Sequence, residues 1–404
     1  MALNKTLGSM LIIAGTTIGA GMLALPLASA GLGFTTALVA MFGMWALMTY
    51  TALLMIEVHQ HADTNATLNT LAQQLLGRKG QIIANFAMIF LLYSLCAAYI
   101  AGGGGQLSEK LSGWLNTSIP PQLGALLFTL LIAAIVSVGT HTVDLVNRLL
   151  FAAKIIALAV MLGLLVPHVE GQHLVEMPVQ KGLILSALPV VFTSFGFHGS
   201  IPSIVRYIGI DIKTLKKVMI IGSALPLFIY VLWQLASQGV MSQPELMAST
   251  TLGSFIASLS DLLHNPMVSQ SVSIFADLAL ATSFLGVSLG LFDFMADSLK
   301  RSSNVSGRMQ TGMITFLPPL AFAIFYPQGF IMALGYAAIA LVILAIFLPV
   351  AMVISQRKKN NISNEISPYK VKGGNFGLII VTMAGVLIIS AQTLQMVGLI
   401  PAVG

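Results

Sequence analysis

Gly15-Thr16-Thr17-Ile18-Gly19-Ala20-Gly21, with Pro26 beyond it, interrupts an apolar stretch long enough to cross a membrane. Five hydrophobic segments later, Ser194-Phe195-Gly196-Phe197-His198-Gly199-Ser200, with Pro202 beyond it, interrupts another. Unpaired backbone N–H and C=O groups at bilayer depth cost several kcal/mol each, so irregular backbone persists there only where it lines a cavity. Paired interruptions in matching positions of two halves point to the binding site of a small-molecule carrier.

The surrounding composition fits that reading. The chain is 57% apolar and 8% charged, with a mean hydropathy of +0.92, whereas a soluble domain carries about 25% charged residues. With about 20 apolar residues needed per span, the sequence predicts an all-α membrane protein of eleven transmembrane helices, near 7–31, 33–58, 81–107, 122–139, 148–168, 182–206, 216–240, 270–297, 310–326, 330–352 and 376–400. The segments 59–80 and 241–269 read as loops, and 356–375 as a basic linker to an extra terminal helix. One membrane domain, 1–404, accounts for the whole chain.

With the N-terminus in the cytoplasm, this alternation places every Lys and Arg except Lys110 and Lys181, of 19 in all, on the inner side. The C-terminus then lies outside, and the pI of 9.4 reports topology rather than a nucleic-acid partner. Lys5, an apolar run and Ala28-Ser29-Ala30 imitate a secretory signal, but the run is too long and its removal would invert the charge alternation. Cys96 is the single cysteine, which excludes intrachain disulfides and cysteine metal clusters.

The first interrupted helix runs inside to outside and the sixth runs the other way, which is the relation of an inverted repeat. Helices one to five (1–168) pair with six to ten (182–352), leaving 376–400 as the addition. A helix that restarts offers unpaired N–H groups and a positive dipole end to an anion, and one that stops offers carbonyls to a cation. A zwitterionic amino acid fits both. Gly19 and Gly21 let the backbone approach a ligand closely.

At these residues the chain resembles the aromatic amino acid permease family, part of the superfamily with the leucine-transporter fold. The resemblance covers the whole chain and rests on AGTTIGAGMLALPLA at 14–28, WALMTYTALL at 45–54, DLVNRLLFAAKII at 144–156, FTSFGFHGSIPSIV at 192–205, FADLALATSFLGVSLGLFD at 275–293 and TFLPPLAFAIFYPQGF at 315–330. It implies a bacterial inner-membrane permease that imports an aromatic amino acid by proton symport: tyrosine first, with tryptophan or a broader aromatic range as the alternative. Substrate contacts would fall on Thr16, Thr17, Ile18, Gly19, Ala20 and Gly21, and on Ser194, Phe195, Gly196, Phe197 and His198. The run Gly102–Gly105 and the loop 241–269 depart from the family's usual spelling.

Several side chains then have two readings each. Phe195 and Phe197 are candidates for ring contacts with the substrate. His198 either meets a phenol or a proton, or satisfies a nearby carbonyl. Tyr93 and Tyr99 either wall a pocket or anchor at the interface. Ionisable groups inside spans cost about 2.5–3.5 kcal/mol on insertion scales. Lys154, in helix five, falls where the resemblance places an ion site between helices five and eight in sodium-driven relatives; it either carries the coupled proton or snorkels to the headgroups. Asp277 either relays a proton or lines an outer vestibule. Asp297 and Arg301 have the spacing of a helix ion pair, and Glu57 reads as an inner-rim residue.

Other classes lack their signatures. No selectivity-filter sequence suggests a channel, no nucleophile–base pair or metal cluster suggests an enzyme, no phosphate loop suggests ATP-driven pumping, and no soluble output module suggests a sensor. Neither a cofactor nor an obligate protein partner is implied.

Overall fold

A computed structural model describes residues 5–179, 181–300, 304–363 and 369–403. Its regular structure is helical: α1 Lys5–Thr17, α2 Ala20–Ala28, α3 Phe34–His59, α4 Leu68–Leu115, α5 Pro121–Val138, α6 Thr140–Leu165, α7 Lys181–Ser194, α8 Ile201–Ile208, α9 Ile212–Val240, α10 Gln243–Ala248, α11 Leu252–Leu263, α12 Pro266–Ser298, α13 Val305–Phe325, α14 Phe330–Val342, α15 Leu348–Ser363 and α16 Gly374–Met396. A π-helical segment, Ile343–Phe347, joins α14 to α15. Among the described residues nine segments are long and apolar enough to span a membrane, and α1 with α2 makes a tenth as one span bent by 51°. The expected segment 310–326 coincides with α13, which lies outside that set of nine.

The helix ends follow from local chemistry. Thr67, Asp211 and Asn265 accept backbone amides at the starts of α4, α9 and α12. Gly33, Gly139 and Gly209 carry the positive φ angles that turn the chain between helices. Where the sequence predicts a loop over 59–80, α4 already begins at Leu68 and bends at Gly77 (φ 71°, ψ −166°), so the spanning part starts beyond the kink. The expected loop 241–269 contains α10 and α11, whose capping boxes start two short helices. Helix α6 begins at Thr140 rather than near 148, and carries the exposed Asp144–Arg148 pair one turn apart. The linker expected over 356–375 is helical as far as Ser363. The proposed partner of Asp297, Arg301, lies outside the described residues.

The two interrupted helices run antiparallel. Lys5, at the start of α1, sits over the ring of Tyr207, near the end of α8 (5.5 Å). At the other end the Val179 amide donates to the Gly31 carbonyl (3.0 Å), bringing the entry to α7 beside the exit from α2. Helix α9 packs against α1, α2 and α3, while α12 packs against α4 and α6.

The end of the bundle that holds Lys5 also carries a buried polar cluster. Arg357 grips Glu57 with two hydrogen bonds (2.7 and 2.9 Å), and the Val371 amide adds a third (2.8 Å). Gln60 pairs with both backbone groups of Tyr369 (2.7 and 3.1 Å), and the Tyr50 hydroxyl donates to the Lys372 carbonyl (3.1 Å). Lys216 lies over the Tyr369 ring (5.0 Å). Burial in this cluster pushes the Tyr369 phenol up to about 12. Glu57 is therefore the buried centre of a polar cluster at this end of the bundle rather than a solvated charge.

Candidate functional site

The backbone interruptions are shorter than the glycine-bearing stretches that announce them. In the first, only Ile18 and Gly19 leave the helix; Gly15, Thr16 and Thr17 remain in α1, and Gly21 already belongs to α2. In the second, Phe195–Phe197 are irregular and His198–Ser200 form a single 3-10 turn. The two sites touch. The Ser194 hydroxyl donates to the Gly21 carbonyl (2.9 Å), and Thr16 and Ser200 exchange a hydrogen bond (3.0 Å).

Beside them lies a cavity of about 1240 Å³. Its wall includes Thr16, Thr17, Gly19, Ala20 and Gly21 from the first break, and Ser194, Gly196, His198, Gly199 and Ser200 from the second. Lys154, Tyr99, Thr282 and Ser283 complete the polar part, and Leu92, Leu95, Phe151, Leu334, Leu341 and Leu344 supply apolar wall. The cavity reaches the surface past Gly8, Arg206 and Asp297, at the end of the bundle where α1 begins. On the other side of the breaks Met22, Leu23, Trp233 and Phe255 are fully buried, with the last two rings edge to face at 5.9 Å. Access is from one end.

The freed carbonyls of the first break are met by side chains from other helices. Lys154, 1% exposed, donates to the Ile18 carbonyl (2.8 Å) and to the Thr282 hydroxyl (3.3 Å), with its ammonium 4.9 Å from the Phe151 ring centre. No carboxylate pairs with it among the described residues. The amine points into the protein, away from the headgroups that snorkelling requires. The Ser283 hydroxyl receives the Ala20 amide (3.2 Å), and the Tyr230 hydroxyl lies 2.6 Å from the Thr17 carbonyl and 2.7 Å from that of Ser194. The Trp233 indole donates to the Met22 carbonyl (3.0 Å). The amides of Gly19 and Gly199 have no acceptor among the described residues, and both residues line the cavity.

Glycine at the first break also allows close packing between elements. A Cβ on Gly19 would run into the Ser283 hydroxyl, and one on Gly21 would lie 3.1 Å from the Ser194 Cα. The space beside both is filled by protein.

The remaining candidates divide. Tyr99 is on the wall. Tyr93 is not; its hydroxyl donates to the Ile314 carbonyl (2.7 Å) and joins α4 to α13. Phe195 and Phe197 are each 2% exposed and stand behind the wall, the first packed on Tyr230 and the second on His198, both at 5.1 Å between ring centres. His198 bonds through Nε2 to the Thr51 hydroxyl (2.9 Å), leaving a buried Nδ1 without a protein partner among the described residues. Asp277 forms an ion pair with Lys110, between α12 and α4, and does not line the cavity. Sequence reasoning did not single out Tyr230, Thr51, Thr282 or Ser283 as site residues. A tyrosine in the middle of an apolar span was the available signal for the first.

A polytopic helical protein with two broken antiparallel helices, polar groups at both breaks and a cavity open at one end has the build of a membrane permease. The sequence agrees across its length: residues 2–392 match the model of the tryptophan/tyrosine permease family, and the chain belongs to that family. It is 45% identical to the tyrosine-specific transport system 1 of Haemophilus influenzae, over 99% of this chain and 100% of the relative. It is 41% identical to tyrosine-specific transport system 2 of the same organism, over 100% of both. A tryptophan-specific transport protein from that organism is 36% identical, over 96% of this chain and 95% of the relative.

Proposed function

We propose that this permease imports an aromatic amino acid, tyrosine in the first place, across a bacterial inner membrane together with a proton. The single observation that carries the reading is the convergence of both helix breaks on one cavity. Amides without acceptors lie at Gly19 and Gly199 for a carboxylate, and carbonyls at Thr17 and Ser194 for an ammonium. The apolar wall, with the Tyr99 hydroxyl beside it, suits an aromatic side chain that carries a polar group. The names of the two most similar relatives cited above favour tyrosine over tryptophan.

The architecture behind this reading is the leucine-transporter fold: eleven spans, with 1–168 and 182–352 as inverted halves of one domain and 376–400 as the added helix. The N-terminus is cytoplasmic and the C-terminus periplasmic, which makes the present form open to the inside. Alternating access then moves the cavity between the two surfaces.

Lys154 is the proposed proton carrier. Its ammonium is a stronger donor than its neutral amine would be, so its protonation state sets how firmly the Ile18 carbonyl is held. His198, with one free ring nitrogen, is the second candidate; Asp277, tied to Lys110, ranks below both.

The test is uptake of labelled tyrosine into vesicles holding the purified chain. An outside-acid pH gradient is expected to drive accumulation that an uncoupler abolishes, with unlabelled tyrosine the best competitor. Accumulation driven by sodium alone would sink the proton assignment, and stronger competition by tryptophan would reassign the substrate.

A further inference from the structure

The hydroxyl of Tyr230 stands between the two breaks, 2.6 Å from the Thr17 carbonyl and 2.7 Å from the Ser194 carbonyl. A phenol has one proton to give. Thr17 and Ser194 are the last residues of α1 and α7, so their carbonyls lie among those that an ending helix leaves without an intrahelical amide. No other side chain donates to either oxygen among the described residues. The Tyr230 ring cannot swing away to relieve the shortage: it is fully buried, and Phe195 holds it edge to face at 5.1 Å.

Two acceptors from two helices thus share one hydrogen, at residues that both line the cavity. Buried carbonyl oxygens in excess of their donors call for another N–H or O–H group, and a charged one is bound most strongly. Lys154 does not fill the role, because its bonds go to the Ile18 carbonyl and Thr282.

We infer that Tyr230 is a positioning residue for the ammonium group of the substrate. By donating to one of the two carbonyls it keeps the pair converged and leaves the second free to accept from a primary ammonium in the cavity. The inference rests on reading the cavity as the amino acid site with these two carbonyls facing the ammonium, and adds to it the side chain that holds them converged. It also gives a reason for a phenol at this point of α9: an apolar side chain there would let the two break ends part.

The test compares wild-type protein with Tyr230→Phe, which keeps the ring and its packing. Two ligands are used: tyrosine, and 3-(4-hydroxyphenyl)propanoate, which lacks the amine. For tyrosine, KM and binding affinity are expected to weaken about tenfold in Tyr230→Phe while kcat changes less than about twofold. The propanoate, measured by competition, should bind both proteins equally. Equal weakening for the two ligands, or an unchanged KM for tyrosine, overturns the inference while leaving the cavity as the substrate site. Failure of the wild-type protein to bind any aromatic amino acid removes the functional reading itself. A second variant keeps the test open should Tyr230→Phe not fold. Phe195→Leu loosens the ring without removing the hydroxyl, and is expected to weaken tyrosine binding about threefold with no effect on the propanoate; a loss shared by both ligands counts against the inference.

Discussion

The two helix breaks solve one backbone problem in different ways. At the first, the chain bends by 51° over two residues, and the freed groups are met by side chains reaching in from α6, α9 and α12: Lys154, Tyr230 and Ser283. At the second, more of the pairing is local, while the Ser194 carbonyl shares Tyr230 with the first break and the Gly199 amide has no acceptor among the described residues. The amides of Phe195, Gly196 and Ser200 each close a tight turn onto the carbonyl three residues back (2.9–3.1 Å), and His198 is braced by Thr51. A break that depends on its neighbours responds when they move or change charge, whereas one held by its own turns keeps its shape. On the proposed mechanism, the responsive role falls to the first break and the fixed wall to the second.

The sharpest challenge to that contrast is Lys154→Ala. Removing the amine leaves the Ile18 carbonyl without its donor, and accumulation driven by a pH gradient is expected to be lost. Exchange of labelled for unlabelled tyrosine across the same vesicles should survive. If gradient-driven uptake is intact, the first break is not the responsive one.

Next in size is Gly19→Leu, whose side chain must displace Ser283; loss of substrate binding in a protein that still inserts is the expected result. A milder pair, Gly19→Ala with and without Ser283→Ala, refines it. The single variant should bind tyrosine at least about tenfold more weakly, and the added alanine should recover part of the loss. A recovery no larger than additivity would show that the clash is not what matters.

At the second break, Thr51→Val removes the partner of His198 Nε2 with little change of shape. Leaving a buried polar group unpaired costs about 1–3 kcal/mol. That cost is expected as a lower unfolding midpoint, with the pH dependence of uptake unmoved; a shifted pH profile would give His198 part of the coupling and blur the comparison. Smallest is Ser200→Ala, which deletes the exposed link to Thr16. About 0.5–1.5 kcal/mol is the usual net worth of such a bond, and its partial exposure puts the loss at the low end, measurable only as a slight change in substrate affinity.

Much of this was legible from residues alone. Both breaks and the antiparallel sense of the helices that carry them follow from glycine and proline in an apolar background, whereas for Lys154 the residues left an inward role and snorkelling both open. The partners of the breaks were not legible. Ala20 and Ser283 are 263 residues apart, and helices such as α3 and α12 have no segregated polar face, so no periodic pattern says how each is rotated. The same lack of pattern hid the fact that Phe195 and Phe197 face protein while Tyr99 faces the cavity. The kink at Gly77 escaped because 59–80 reads as a loop, so no helix was expected there to bend; its positive φ marks the turn.

The Glu57 cluster has a bearing on how the last span should be regarded. Residues 369–372 are stitched to α3 by backbone groups, so no substitution among them except proline at 369 or 371 abolishes those bonds, whereas truncation ahead of Tyr369 would. A chain shortened there leaves the Glu57 carboxylate one donor short and Gln60 without its two bonds to Tyr369. The final helix is thus no detachable appendage: the segment leading into it is mortar for the second span, and shortened versions made for convenience would sample a different protein.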